Sequence, residues 1–315
     1  MRAGLRIVAA APGASIQDSG RRGLARWGVS PAGPMDWARH ALALALAGEA
    51  PGGPAIEVGA GGLVVEAEGT VALGIAGPGF RSSAGVPPLA VVLAHGERLE
   101  LRSAGGAWAV LAARGLDPGP PVMGSHATSV RAGIGPPAPE TGRVYPCESV
   151  DPAPMRPVVD PVGEGGPIRL LPGPQRHLFD EDVLSGEWAV SPRRDRMGCW
   201  LEGPPQHCEA GHDIASDGVV EGAIQVPGSG SPVVLMADHQ TTGGYPKPAV
   251  VIRADLPRLA QSAPGAVFRF AWTTPEEARA ARRALEAAIR SPEPQARAPA
   301  AAVLATENLV SGIWG

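Results

Sequence analysis

Lysine is nearly missing from this chain: among 27 Lys and Arg in 315 residues, Lys247 alone is lysine. Aromatic residues make up 4%, with two tyrosines, one of which, Tyr245, stands two places before that lysine. A cluster of basic residues is also missing. The net charge is -4 and the pI near 6.0, with arginines scattered singly, which excludes the basic footprint of a nucleic-acid binder. No run of about 18 apolar residues is present, so no membrane helix is expected. The apolar part of the opening MRAGLRIVAAAPGAS is shorter than the roughly 7 to 15 residues of a signal peptide, and a cytoplasmic location follows as the expectation. Cysteines are three, Cys147, Cys199 and Cys208, an odd and unpatterned set that reads as reduced thiols. The spacing of Cys199, His207, Cys208 and His212 matches no zinc motif, so no metal site is expected.

Glycine and proline are abundant, 43 and 35 residues, and they cut the chain into short apolar runs. Residues 5–10, 62–77, 89–104 and 107–113 in the first half read as strands, as do 168–173, 187–192, 223–228, 232–238, 249–254 and 266–272 in the second. Their close spacing predicts β-barrels or sandwiches and excludes a helix-alternating parallel sheet. Three helices are predicted. One over 275–290 has Thr274 as N-cap and Glu277 completing a capping box; one over 35–47 is opened by Pro34 and stopped by Gly48; a weaker one lies over 175–185. The Pro- and Gly-rich segment 135–166 holds the expected boundary, giving a first barrel over 1–150 and a second over 151–290. Residues 291–302 read as a flexible tether, and 291–315 as a whole as a tether with a C-terminal docking segment.

The portable catalytic signatures are missing too. There is no GxxxxGK[ST] loop, no GxGxxG opening a helix, no GxSxG and no HExxH, and the glycines of EVGAGGLVV precede a strand as a plain turn. What is present is a set of loops that combine small backbones with single charges: 19–23, 33–36, 194–198 and 240–247. Loops of this type form concave sets of N–H groups suited to anions, and plain turns are their simpler reading. Lys247 is the exception among them. A surface charge in so arginine-rich a chain tolerates exchange to arginine, whereas a compact amine placed against a carbonyl or phosphoryl group does not. The strings Gln17-Asp18-Ser19-Gly20 and Gln240-Thr241-Thr242-Gly243 also echo each other, which points to two related halves.

The strings ADHQTTGGYPKPAVVI, RMG, LEGPP and EGAIQVPGSGSPVVLMAD, with QDSGRRG, WGVSPAGPMDW, AIEVGAGG and VMGSHATSVRAGIG in order before them, resemble one known family over residues 4–275. It is the family of the bacterial 5-oxoprolinase C-type component, also called allophanate hydrolase subunit 2, KipA or biotin-dependent carboxyltransferase. The resemblance implies a mainly β fold of two cyclophilin-like β-barrel domains with a few short helices. It implies a B-type (KipI-like) and an A-type (LamB/YcsF-like) partner subunit, with which a small amide or lactam substrate, 5-oxoproline, is opened to glutamate at the expense of ATP. Biotin is implied only for the carboxyltransferase branch, and a regulator of a kinase inhibitor is the third reading. By position, the resemblance makes Lys247, Arg196, Asp18 and Asp36 catalytic candidates, and Gln17, Gly20, Met35, Glu57, Met197, Gly198, Gln240, Thr241, Thr242, Gly243, Gly244 and Tyr245 substrate-binding candidates. Lys247 and Arg196 would face an oxyanion or phosphate. Asp18, Asp36 and Asp238 remain open as general base. The chain departs from the family at Leu44 and Glu49, where asparagine is usual, and in the proline-rich run after Gly135.

Overall fold

A computed structural model describes residues 2–295, and the short apolar runs of the sequence become twenty strands and three helices among those residues. The first half contains β1 (Arg2–Ala10), β2 (Ser15–Gln17), α1 (Trp37–Ala47), β3 (Ala55–Val58), β4 (Leu63–Glu68), β5 (Val71–Ala76), β6 (Phe80–Ser82), β7 (Leu89–Leu93), β8 (Arg98–Ser103), β9 (Ala109–Ala113), β10 (Val144–Glu148) and β11 (Arg156–Pro157). The second contains β12 (Ile168–Pro172), β13 (Glu187–Arg194), β14 (Gly198–Glu202), β15 (Asp217–Gly218), β16 (Ala223–Gln225), β17 (Val233–Leu235), β18 (Thr242–Gly243), β19 (Ala249–Val251), α2 (Leu256–Gln261), β20 (Val267–Trp272) and α3 (Pro275–Arg290). The fold is mainly β, as the sequence predicts. None of the described helices is long and apolar enough to cross a membrane.

Period-2 patterning builds the first half. In β4, Leu63, Val65 and Ala67 are buried while Val64, Glu66 and Glu68 point away from the core. The sheet β10-β1-β4-β8-β6 lays such residues against the inner face of a second sheet, β11-β7-β5-β9-β3-β2, and Leu5, Ile7, Leu73, Ile75, Leu99 and Leu111 meet between them. Helix α1 lies on the outer face of the second sheet, over β5 and β9. Gly74 permits this approach, because a side-chain carbon there would collide with Ala43 O and Ala47 N of α1.

The second half closes on itself as a barrel, β12-β19-β16-β17-β14-β13-β20, with β20 returning parallel to β12. Trp188, Leu170, Val190, Ile224, Val234 and Val251 fill it. Two side chains of the first half, Met35 and Trp108, pack against this same core. At the same seam, Gln261 at the end of α2 donates 2.9 Å hydrogen bonds to Asp36 Oδ2 and Trp108 O, and Trp37 Nε1 donates to Arg253 O at 2.8 Å.

Several expectations shift in detail. The runs 62–77 and 89–104 each split into two strands that cross from one sheet to the other, β4 to β5 at Gly69-Thr70 and β7 to β8 at Ala94 to Glu97, where the chain turns. The expected helix over 175–185 is a 3-10 turn, Arg176–Leu178, followed by isolated turns; Gly173 and Pro174 stand at its start and Leu184 adopts a left-handed φ of 63°. The predicted helix over 35–47 begins at Trp37 because Asp36 is its cap, and helix 275–290 has the predicted bounds with its capping box formed. Expected over 151–290, the second barrel has its strands between Ile168 and Trp272; β11 instead joins β7, and α3 packs Leu285 and Ile289 beside α1. The first residues of the expected tether are held: Val159 N donates to Glu293 O at 2.8 Å and Gln295 N to Pro157 O at 3.1 Å. The remainder of the tether and the C-terminal docking segment lie outside the described residues.

Candidate functional site

The turn between β13 and β14 carries Arg196. Asp195 Oδ1 accepts from Met197 N at 2.7 Å and Gly198 N at 3.1 Å, which closes the turn and directs Arg196 across the seam. Its guanidinium is bidentate on Asp238, with Nε to Oδ2 at 2.9 Å and Nη2 to Oδ1 at 3.0 Å. It also reaches the first half, donating through Nη2 to Gly33 O at 2.6 Å and through Nη1 to Glu57 Oε1. Glu57, on β3, is fully buried and accepts from Met35 N at 2.7 Å through its other oxygen. Burial pushes its carboxyl up to about 7, against the lowering effects of Arg196 and the Met35 N–H. Burial works to lower Arg196, but Glu57 and Asp238 outweigh it and keep the guanidinium charged, its pKa above the ordinary value. A carboxyl that titrates near neutrality inside a closed seam is suited to take or give a proton.

The first-half aspartates are already engaged by other groups of the chain. Asp18 accepts from Gly20 N at 2.8 Å, Ser125 Oγ at 2.6 Å and His126 N at 2.6 Å. Gly20, at φ 83°, leaves no room for a side chain against Pro31 O. Asp36 caps α1 through Arg39 N at 3.0 Å and binds Arg39 Nη1 at 2.7 Å, besides Gln261. Gln17 donates to Ser15 Oγ and Thr128 O, both at 2.9 Å, and accepts from Gly33 N at 3.1 Å. Together these bonds fix the segments 18–36 and 125–128 beside the seam.

On the outer side of β14, β16 and β17 lies a cleft of about 940 Å³, reached by Met197, Gly198, Trp200, Gln225, Gln240 and Tyr245. Arg193 stacks over Trp200 at 4.1 Å. The strand pair β15 and β18 forms a two-stranded ribbon separate from the barrel sheet, with Asp217 opposite Gly243 and Gly218 opposite Thr242. Its flanks are tied by Val219 N to Thr241 O and Ile214 N to Gly244 O. Lys247 is 2% exposed. Gln175 holds its backbone in both directions, accepting from Lys247 N at 3.1 Å and donating to Lys247 O at 3.2 Å. Among the described residues the amine has one counter-charge, Asp217 Oδ2 at 3.3 Å, but no acceptor aligned for a hydrogen bond. Asp217 is itself held below the usual carboxylate range, first by the Gly218 N–H and then by Lys247.

Residues 27–272 match the family described as carboxyltransferase domain, subdomain A and B. The chain belongs to this carboxyltransferase family. It is similar to the C-type component of 5-oxoprolinase from Escherichia coli (strain K12), 34% identical over 297 residues that cover 89% of this chain and 94% of the relative. The corresponding 5-oxoprolinase component of Haemophilus influenzae is 32% identical, with 86% and 91% covered. Among solved structures, TTHA0988 aligns with a TM-score of 0.76 at 33% identity over 85% of this chain, which spans 55% of that one. The K. lactis urea amidolyase aligns with a TM-score of 0.81 over 91% of this chain and 20% of that one, and at 23% identity it speaks for the fold alone.

Within this carboxyltransferase fold the candidate residues fall into groups. Arg196, Glu57 and Met35 meet at the seam with Asp238; Asp18, Gly20 and Gln17 brace it; Asp36 belongs to the α1 cap. Gln240, Thr241, Thr242, Gly243, Gly244, Tyr245 and Lys247 form the ribbon and the cleft edge, where Met197 and Gly198 join them. Gln225 and Asp217 complete that edge and were not singled out by sequence reasoning. Gln225 is 2% exposed, its Oε1 accepting from Gln240 Nε2 at 3.1 Å. A polar residue in the otherwise apolar, buried run Ala223-Ile224-Gln225-Val226 is the signal that could have found it. Asp217, in an ordinary polar loop, gives none.

Proposed function

We propose that the chain is the C-type subunit of an ATP-dependent 5-oxoprolinase, acting with B- and A-type subunits to convert 5-oxoproline, ATP and water to glutamate, ADP and phosphate. The supporting observation is that one carboxyltransferase-family chain carries both a buried carboxyl poised near neutrality, Glu57 at the seam, and a buried amine that lacks an aligned acceptor among the described residues, Lys247 under the ribbon. Opening a lactam needs a group that takes a proton from the attacking water and a cation that offsets negative charge on the substrate, and these residue types supply both roles. Arg196, with Glu57, Asp238 and Gly33 O around it, acts in this reading by holding Glu57 in place. The nearby cations are engaged, Arg193 on Trp200 and Arg131 toward Met197 Sδ, so the reading places the nucleotide on a partner subunit.

The test is reconstitution. The chain alone is expected to be inactive, and 5-oxoproline-dependent ATP hydrolysis is expected to appear on mixing with B- and A-type subunits; no gain on mixing overturns the reading. Lys247→Met or Lys247→Arg in that mixture is expected to lower turnover at least ~100-fold, the order of one lost charge-stabilising donor.

The family description favours a second reading, a biotin-dependent carboxyltransferase or a related urea or allophanate-type amide hydrolase subunit. The sole lysine has no Met-Lys-Met context, so in this reading biotin is carried on a segment other than this sequence. Retention of a biotinylated carrier protein, and not of its unbiotinylated form, is the outcome that would favour it. The regulatory reading calls for splayed loops with the lysine amine in open solvent, and the buried Lys247 weighs against it.

A further inference from the structure

Two donors lie buried under the same small ribbon without hydrogen-bond partners among the described residues. Lys247 Nζ faces Asp217 on β15, and Gln225 Nε2 lies against Gly243 on β18, so closely that a side-chain carbon at 243 would collide with it. Burying an ammonium and an amide N–H without aligned acceptors is unfavourable, and structures retain such groups where something else completes them. The ribbon is suited to move. Its strands pair over two residues each, neither joins the barrel sheet, and Asp217, Gly218 and Thr242 are exposed. The barrel beneath is fixed, with Lys247 anchored through Gln175 and Gln225 set in β16. Gln225 also lines the 940 Å³ cleft, so the cleft leads up to the covered Nε2.

We propose that the β15–β18 ribbon is a cover over a carboxylate-binding site made by Lys247 Nζ and Gln225 Nε2, and that Asp217 occupies the place of the ligand's carboxylate. The Asp217 carboxylate is the observation that selects the ligand class: the fold already brings one carboxylate to the lysine, at 3.3 Å and in poor alignment for a hydrogen bond. A ligand carboxylate that reaches both donors gains the aligned hydrogen bonds Asp217 lacks and frees Asp217 into solvent, where half of it already lies. Taking 5-oxoproline as that ligand rests on the lactam-opening reading above; the carboxylate site does not.

Because Lys247 is the only lysine, its exposure is read without interference from any other side-chain amine. The full chain is treated with neutral reductive-methylation reagents, and the rate at Lys247 is followed by peptide mass mapping, which separates it from the N-terminal amine. Asp217→Ala is expected to label about tenfold faster than the unaltered chain, the order of one charge-assisted contact. Millimolar 5-oxoproline is expected to return that rate toward the unaltered one, whereas 2-pyrrolidone, the same lactam without the carboxylate, leaves it unchanged. Gln225→Leu added to Asp217→Ala is expected to label as fast and to lose about tenfold of the protection. Asp217→Ala labelling at the unaltered rate, protection by 2-pyrrolidone equal to that by 5-oxoproline, or no protection by any carboxylate would overturn the proposal. Succinate protecting as well as 5-oxoproline supports the carboxylate site while removing lactam selectivity from it. The 5-oxoprolinase reading stands or falls separately, on ATP hydrolysis by the reconstituted complex.

Discussion

Replacing Glu57 by Gln removes one titration from the buried seam and leaves the shape nearly unchanged, since an amide oxygen still accepts the Met35 N–H. The folded carboxyl titrates at about 7 against an ordinary value of 4.5. Between those values the folded protein keeps a proton that the unfolded chain has released. The stabilisation is therefore complete below about pH 4.5, falls as pH rises, and is gone above about pH 7. At about 1.4 kcal/mol per pKa unit, the interval is worth about 3 kcal/mol. Urea unfolding at constant ionic strength, in steps from about pH 4.5 to about 7.5, is expected to show the unaltered chain losing about that much more stability than Glu57→Gln. Curves parallel to within about 0.5 kcal/mol would refute the reasoning. So would a relative gain by the unaltered chain on raising pH, because Arg196 would then outweigh burial and hold Glu57 below its ordinary value.

Three further outcomes are expected. Arg196→Met leaves Glu57 and Asp238 buried without their cation and should lower stability by about 3 to 5 kcal/mol in urea titration, partly restored by adding Glu57→Gln; a loss under about 1 kcal/mol would remove its fastening role. Gly74→Ala forces α1 off β5 and should destabilise by about 1 to 3 kcal/mol, with a shift in the near-ultraviolet signal of Trp37 on α1; an unchanged melting temperature would contradict the close approach. Thr274→Ala opens the capping box and should cost about 1 kcal/mol, read most directly as faster amide exchange in the first turn of α3; exchange unchanged there would deny the cap.

Local chemistry was legible in the sequence and distant pairing was not. The α3 cap, the Gly48 stop of α1 and the apolar strands follow from residues within a few positions of one another. Arg196 and Glu57 are 139 residues apart, and no local pattern relates them. Lys247 drew notice through its rarity, yet its burial depends on Asp217 and Gln175, which come from separate loops. Asp18 and Asp36 carried the appearance of free carboxylates because their partners, Ser125 and Gln261, also lie far along the chain. The helix expected over 175–185 failed for a local reason: its polar and apolar residues alternate acceptably, but the left-handed Leu184 belongs to a turn that composition does not reveal.

The closed barrel enters at β12 and leaves at β20, neighbouring parallel strands with Leu170 beside Trp272, and both stems lead back to elements packed on the first half. Geometrically it is an inserted body on two adjacent stalks. With both crossings on one side of the barrel, the ion pair between Arg196 and Glu57, 139 residues apart, is a second fastening that ties the barrel to the first half independently of the chain itself.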